Sequence, residues 1–472
     1  MIQTTQAVQT TQTIENLFDS HVHFRMTGEI QSRLDLSKLK SSEELKTLHI
    51  SPSHFLGDWI VGFGWDEYLW PEKDQNLNKT FLDKIFPHQP VLFSRKDGHR
   101  AWVNSLALTL NPEIESLDSC LKDSKGESVG ILLENAHYAL LRNLPRPSKN
   151  QIEEHLLRAQ SLFHQAGFTH VRDLSTSMEQ EMILRELNQN NKLKLFIKSN
   201  LVCDRFSELD STLEKAQVLK SEESNRIQFE GLKLFYDGSL GSETALLSKS
   251  YPLSSSTMQN WDKVDKNFGQ RLWEPKELEN AIEKIWKRGL DVSIHVIGDQ
   301  AVDEVVDCAR RVSANGIVGR LNLEHVQILR PETLQKMKNL HVRCHLQPCH
   351  FLSDRVWLKE KLGDLFSYAF PWEALRRAKI PFYFGSDSPI EPTSVFNNLR
   401  ALNESAEAGI PQLQTEGGLG VFQFHQAYDL WENLGSNKGI KIQNSKEQKT
   451  FTVLDVENHK IKEVWFQGEQ LL

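Results

Sequence analysis

The sequence predicts an α/β fold of one kind, a (β/α)8 TIM barrel with a long insertion after strand 1 and a reduced β-sandwich-like terminal domain. Three observations carry that expectation. Apolar, β-rich segments recur along the chain and most are followed by a segment of helical period, as parallel βα units require. A chain of 472 residues is too long for an ordinary small domain and suits one large barrel with additions. Residues 55–147 are too many for a simple loop and contain strand-like pieces of their own, DWIVGFGW and QPVLFSR.

Taken in order, residues 1–16 lack the basic start and apolar core of a signal peptide and read as a tail or a residual sandwich strand. Strand 1 is NLFDSHVHF (16–24), strand 2 GFTHVRDL (167–174), strand 3 LKLFIKSNLV (193–202) and strand 4 EGLKLFYDG (230–238). Strand 5 is DVSIHVIG (291–298), strand 6 RLNLEHVQI (320–328), strand 7 HVRCHLQP (341–348) and strand 8 IPFYFGSDS (380–388). Helices are expected over 148–167, opened by a serine and closed by a glycine, and over 274–289 and 298–316. The barrel then spans 17–400, with the insertion as a subdomain over one mouth. Residues 401–472 supply a helix and short strands, two of them around an Asn-containing turn within 448–472.

Composition bounds the function. With 39% hydrophobic and 25% charged residues there is ample material for a large core. A formal charge of -8, with no basic run or zinc-finger spacing, excludes nucleic acid as the main partner. No apolar run is long enough to span a bilayer. Five scattered cysteines without CxxC spacing point to a reducing compartment, so the cytoplasm is expected. The expected partners are a small-molecule substrate and at most a second copy of the chain, as a homodimer.

Catalytic groups in such barrels lie where strands end at the C-terminal face. Polar residues at those ends are His21 and His23 (strand 1), Lys233 (strand 4), His295 (strand 5), His325 (strand 6) and Asp387 (strand 8). His-x-His in a strand puts both imidazoles on one side. Four imidazoles and a carboxylate converging on one mouth would suit Zn²⁺ or a similar divalent ion, which acidifies bound water and polarises a carbonyl. The carboxylate of Asp387 can take a proton from that water and pass it to a leaving nitrogen. Lys233 is open on spacing alone, since it could equally pair with Asp237 or Glu243.

Two further stretches bear on substrate. DGHRAWVN (97–104) collects Asp97, His99, Arg100 and Trp102, either as substrate-lining groups or as a capped helix start with an anchoring tryptophan. The glycine-rich loop DGSLGSETA (237–245), beginning at Asp237, lacks nucleotide-loop spacing and could shape a pocket by close backbone approach. Trp59, Trp65, Trp70 and Trp102 suggest a partly apolar substrate. His137, His164, His170, His345 and His425 read as packing, structural or surface residues.

The order DSHVHF, GWDEYLWPE, DGHRAWVNS, GLKLFYDGSLGSETA, IHVIGDQAVD, LEHVQIL and FGSDSPIEP resembles amidohydrolase family 3, the branch that contains N-substituted formamide deformylases. The likeness covers roughly 17–396 and is specific because the motifs recur in order. It implies one or two divalent metals, usually zinc, held by His21, His23, His295, His325 and Asp387, with Asp387 also the proton shuttle. It implies for Lys233 the strand-4 lysine that can be carboxylated on its amine to bridge two metals. Members usually carry more N-terminal sandwich strands and a clearer C-terminal signature, hence the reduced terminal domain. The expected function is metal-dependent hydrolysis of a carbon–nitrogen bond in an amide, N-acyl or N-formyl compound by metal-activated water. The alternatives are a deaminase or cyclic-amide hydrolase of the same superfamily, or an inactive barrel that only binds.

Overall fold

Runs of Val, Ile, Leu and Phe form eight parallel strands at the eight expected places in a computed structural model that describes residues 11–70, 76–222, 224–252, 266–414 and 449–472. They are β1 (Phe18–Val22), β2 (His170–Thr176), β3 (Phe196–Val202) and β4 (Ile227–Phe235), then β5 (Asp291–Val296), β6 (Leu321–His325), β7 (Val342–Leu346) and β8 (Phe382–Phe384). Each strand hydrogen-bonds to its neighbour in chain order. A parallel bridge between Val22 and Ser388 brings the exit of β8 onto β1 and nearly closes the barrel.

Helices cover the outside. They include α1 (Lys149–Gln165), α2 (Met178–Gln189), α3 (Leu209–Ser221), α4 (Pro275–Lys287) and α5 (Asp299–Ala314). After these come α6 (Pro331–Met337), α7 (Pro348–Asp354), α8 (Trp372–Ala378) and α9 (Val395–Glu407). Sequence sets their limits. Ser148 and Gln151 form a reciprocal capping box at the start of α1, a device whose serine is worth about 1 kcal/mol. Just past its end Gly167 takes φ +90°, where a side chain would be strained. Along α4, Leu278, Ala281, Ile282, Ile285 and Trp286 are buried at the spacing of one helical stripe. Truncating Ile282 to alanine would cost about 2–5 kcal/mol.

The barrel interior is polar where branched aliphatics usually fill it. Arg172 from β2 donates to Glu324 (2.8 Å) on β6 and also pairs with Glu230 on β4 and the Ser293 hydroxyl on β5. Lys198 lies 3.7 Å from the same Glu230. Burial opposes ionisation of Glu324, yet the Arg172 guanidinium and neighbouring histidines hold its carboxyl well below the usual range.

The insertion builds a second, mixed sheet of seven strands that takes in Leu34–Asp35, Trp59–Trp65, Val91–Arg95, Arg100–Val103 and Ser128–Leu133. Both faces are buried: Trp65, Phe93 and Trp102 on one, Trp59, Leu92 and Ala101 on the other, the alternation that a pleated strand imposes. Terminal strand Thr11–Glu15 pairs antiparallel with Phe451–Asp455, which continues to Lys460–Phe466 and Glu469–Gln470. Ile14 and Leu454 join the core beneath α1. His425 and most of the stretch expected to replace the family's C-terminal signature lie outside the described residues. All five cysteines are buried and unpaired. Among the described residues no helix is long and apolar enough to cross a membrane.

Candidate metal centre

Strand register brings the expected residues to one mouth. The Asp387 amide donates to the His21 carbonyl (2.8 Å) and the His23 amide to that of Ser388 (2.8 Å), fixing the exit of β8 beside β1. Asp387 Oδ1 then lies 3.0 Å from His23 Nε2 and 3.2 Å from His21 Nε2. His295 is the penultimate residue of β5 and His325 the last of β6, their rings 4.4 Å apart, with His325 4.7 Å from the His21 ring. Lys233 points into the same space from β4, its Nζ 4.9 Å from the Phe235 ring centroid. The backbone bends sharply here: His325 has φ +74° and Asp387 φ +60°, conformations that cost about 1–3 kcal/mol each and persist where surrounding contacts impose them.

Second partners orient the imidazoles. Glu324 is ionised and can only accept, so His21 donates its Nδ1–H to it at 2.6 Å and turns the other nitrogen towards the mouth. His295 donates Nε2–H to the Gly238 carbonyl at 3.2 Å, which leaves Nδ1 as its lone-pair atom. Burial holds His295 and His325 well below the usual imidazole range, so both are neutral, the form that ligates metal. Burial likewise brings the Lys233 amine down to about 8.

The decisive feature is what has no partner. His21 Nε2, Lys233 Nζ, His325 Nδ1, His350 Nε2 and Asp387 Oδ1 are buried polar atoms without hydrogen bonds. Such atoms cost about 1–3 kcal/mol apiece when left unsatisfied, and His21, His325 and His350 each bring a ring nitrogen within 4.8 Å of an Asp387 oxygen. Nitrogen and carboxylate donors in this number fit a divalent ion of the zinc type. Two donor triads share the carboxylate: His21, His23 and Asp387, and His325, His350 and Asp387.

The other expected residues separate. Asp97 and His99 line the cleft above the nest, together with His295, His325, His350 and Asp387. Burial opposes charge on His99, but the Glu134 carboxylate, 2.9 Å from its Nδ1, pushes it up to about 9. Trp102 does not reach the cleft. It is 1% exposed in the insertion core and donates its ring N–H to the Asn78 carbonyl (2.9 Å). Trp59, Trp65 and Trp70 are likewise core residues, so they carry no information about substrate. Asp237 is consumed by the backbone N–H groups of Leu246, Ile297 and Gly298, 2.8–3.0 Å away, and shapes the loop. Asp97-Gly98 turns between two strands, and Asn104, further on, caps the next helix by accepting from the Ala107 N–H. Glu243, an alternative partner for Lys233, pairs instead with Lys361 at 3.1 Å.

Sequence reasoning missed His350 and Glu134. His350 sits on α7, beyond the end of β7, with Nδ1 2.9 Å from the Gln327 amide nitrogen and Nε2 3.4 Å from Asp387 Oδ2. Its signal was the histidine of QPCHF, displaced from the strand end into a helix. Glu134 follows a strand of the insertion and meets His99 only through tertiary contact.

A parallel barrel with a histidine–carboxylate nest at its C-terminal mouth is the framework of a hydrolase. Residues 17–432 match the amidohydrolase family, and the chain belongs to that family. The YtcJ protein of Bacillus subtilis (strain 168), named as an amidohydrolase, is 30% identical over 385 residues, 79% of this chain and 70% of that protein. The N-substituted formamide deformylase of Arthrobacter pascens is 22% identical over 353 residues, covering 70% of this chain and 61% of that enzyme. An uncharacterized metal-dependent hydrolase from Pyrococcus horikoshii superposes with a TM-score of 0.63 at 28% identity, over 88% of this chain and 77% of that one.

Proposed function

We propose that the chain hydrolyses a carbon–nitrogen bond in an amide, N-acyl or N-formyl small molecule, with one or two divalent ions, zinc in the first instance, in the nest. The observation that carries this reading is the set of orphaned buried donor atoms around Asp387. A related enzyme's name, N-substituted formamide deformylase, supports the bond class. His21, His23, His295, His325 and Asp387 would hold the ion, and a divalent cation there supplies Lewis acidity that polarises a carbonyl and acidifies water.

The chain's own groups do the rest. Burial opposes the Asp387 anion, but His21, His23 and His350 hold the carboxyl well below its usual range, so it enters the reaction as a base. It takes a proton as water attacks the carbonyl carbon, then returns that proton to the nitrogen as the C–N bond breaks, giving acid and amine. Lys233, buried and with its amine brought down to about 8, has the neutral lone pair that adds CO₂, releasing a proton and leaving a carboxylate on Nζ. That carboxylate would add a further oxygen donor for an ion in the nest. His99, held by Glu134, faces the cleft from the insertion and contacts the substrate.

The test is a screen of N-formyl and N-acyl amines and anilides with Zn²⁺ or Mn²⁺ added, following amine release. Turnover of at least one compound, lost on chelation and restored by metal, is expected. Metal uptake with no amide turned over, alongside deamination of a heterocycle, would replace the reading by the deaminase alternative.

A further inference from the structure

The cleft holds one carboxyl with no counter-ion in contact with it. Asp66 and Asp97 share the Arg95 guanidinium at 2.6 and 2.9 Å. Lys96 pairs with Glu391 at 3.1 Å. Asp387 belongs to the nest. Asp354 also lines the cleft, and among the described residues its side chain makes neither an ion pair nor a hydrogen bond, with only the more distant His350 and Lys96 favouring its charged form. It is the last residue of α7, the helix that carries His350. Residues four apart on a helix share a face, with about 5–6 Å between their Cβ atoms. His350 Nε2 faces Asp387 at 3.4 Å, so Asp354 stands one helical turn from the reacting centre. Trp357, Ile390 and Leu240 line the same cleft and supply its apolar part.

We propose that Asp354 selects substrates carrying a protonated amine a short chain away from the scissile amide. This rests on the amide-hydrolase reading above and names the substrate class for it. The ammonium would sit between Asp354 and the apolar wall while the amide carbonyl reaches the nest. Among the described acids of the cleft, Asp66 and Asp97 are held by Arg95 and Glu391 by Lys96, and Asp387 is committed to the nest. Burial, reinforced by the Glu391 and Asp66 carboxylates and opposed by His350 and Lys96, pushes the Asp354 carboxyl up to about 7. An incoming cation would relieve that unfavourable burial.

Three p-nitroanilides test it on the metal-loaded enzyme: 3-aminopropanoyl, the near-isosteric neutral butanoyl, and succinyl with the opposite charge. The ammonium compound should exceed the butanoyl one about tenfold or more in kcat/KM, as a charge-assisted contact implies, and the succinyl compound should be the poorest. In Asp354→Asn the ammonium-to-butanoyl ratio should fall to near one, and Asp354→Lys should invert the order in favour of succinyl. A wild-type ratio of one, or a ratio unchanged in Asp354→Asn, overturns the proposal. Should none of the anilides be cleaved, the hydrolytic reading fails for this bond type. Calorimetric binding of the same compounds then decides the charge selection separately: tighter binding of the ammonium compound, lost in Asp354→Asn, sustains it, and equal or absent binding overturns it.

Discussion

Two buried polar clusters lie close together in this molecule and differ in one respect. Where the insertion meets the barrel, each nitrogen of the Arg95 guanidinium is spoken for: Nε by Glu67 (2.7 Å), Nη1 by Asp97 (2.9 Å) and Nη2 by Asp66 (2.6 Å). Glu67 also takes Arg100 at 2.7 Å, and Arg100 donates to the Ser242 carbonyl (3.1 Å) in the loop after β4. At the mouth, a similar density of polar groups leaves His21 Nε2, Lys233 Nζ, His325 Nδ1 and Asp387 Oδ1 without hydrogen bonds. Around Arg95 the charges satisfy one another and latch two structural units together. The second is complete only with something from outside. Composition cannot tell them apart, because both are built from charged residues in apolar surroundings; the accounting of partners can.

Breaking each cluster should therefore fail in a different way. The largest effect is expected from Asp387→Ala, which should lower kcat/KM about 10³-fold or more through loss of the proton carrier and a donor. Circular dichroism and the melting temperature should stay close to wild type. Arg95→Met should do the reverse. It leaves Asp66 without its ion pair and takes one partner each from Glu67 and Asp97, and should cost about 3–5 kcal/mol of stability in denaturant titration, while metal binding per folded molecule is retained.

Glu324→Gln sharpens the boundary between the two kinds of cluster, because Glu324 is paired to Arg172 on one side and orients His21 on the other. It should weaken metal binding about 10–100-fold in chelator competition, the scale of a lost orienting partner. Least affected should be Glu29, outside both clusters. Burial opposes its charge, but Arg33 and Arg25 hold its carboxyl down to about 2. A depressed carboxyl stabilises the fold above its unfolded value near 4.5 and loses that contribution as pH falls towards 2. Glu29→Gln should thus cost about 1–2 kcal/mol at pH 7, and denaturation midpoints of the two proteins should draw together as pH falls from 4.5 and meet near pH 2.

Much of this was legible in the sequence. Each barrel strand carries its own apolar run, so the strands could be placed without tertiary information, and the mouth residues followed from strand ends. Lys233 could not be settled that way, since Asp237 and Glu243 were both within reach in sequence. Only the fold shows Asp237 bound to backbone N–H groups and Glu243 to Lys361. Trp102 misled because a strand buried on both faces puts aromatic residues against its own core as readily as against a cleft. His350 escaped notice because it enters from a helix, where the strand-end rule does not look. Leu34–Asp35, a strand of two residues, is too short to show any period.

The account stands on the nest being a metal site. Elemental analysis by mass spectrometry, after apo-protein is dialysed against Zn²⁺ and freed of excess, tests it directly. One or two equivalents bound to wild type, and fewer to correctly folded His21→Ala and His325→Ala, is the predicted result. Wild-type protein that takes up no zinc, manganese or iron, or variants that bind as much as wild type, would contradict it.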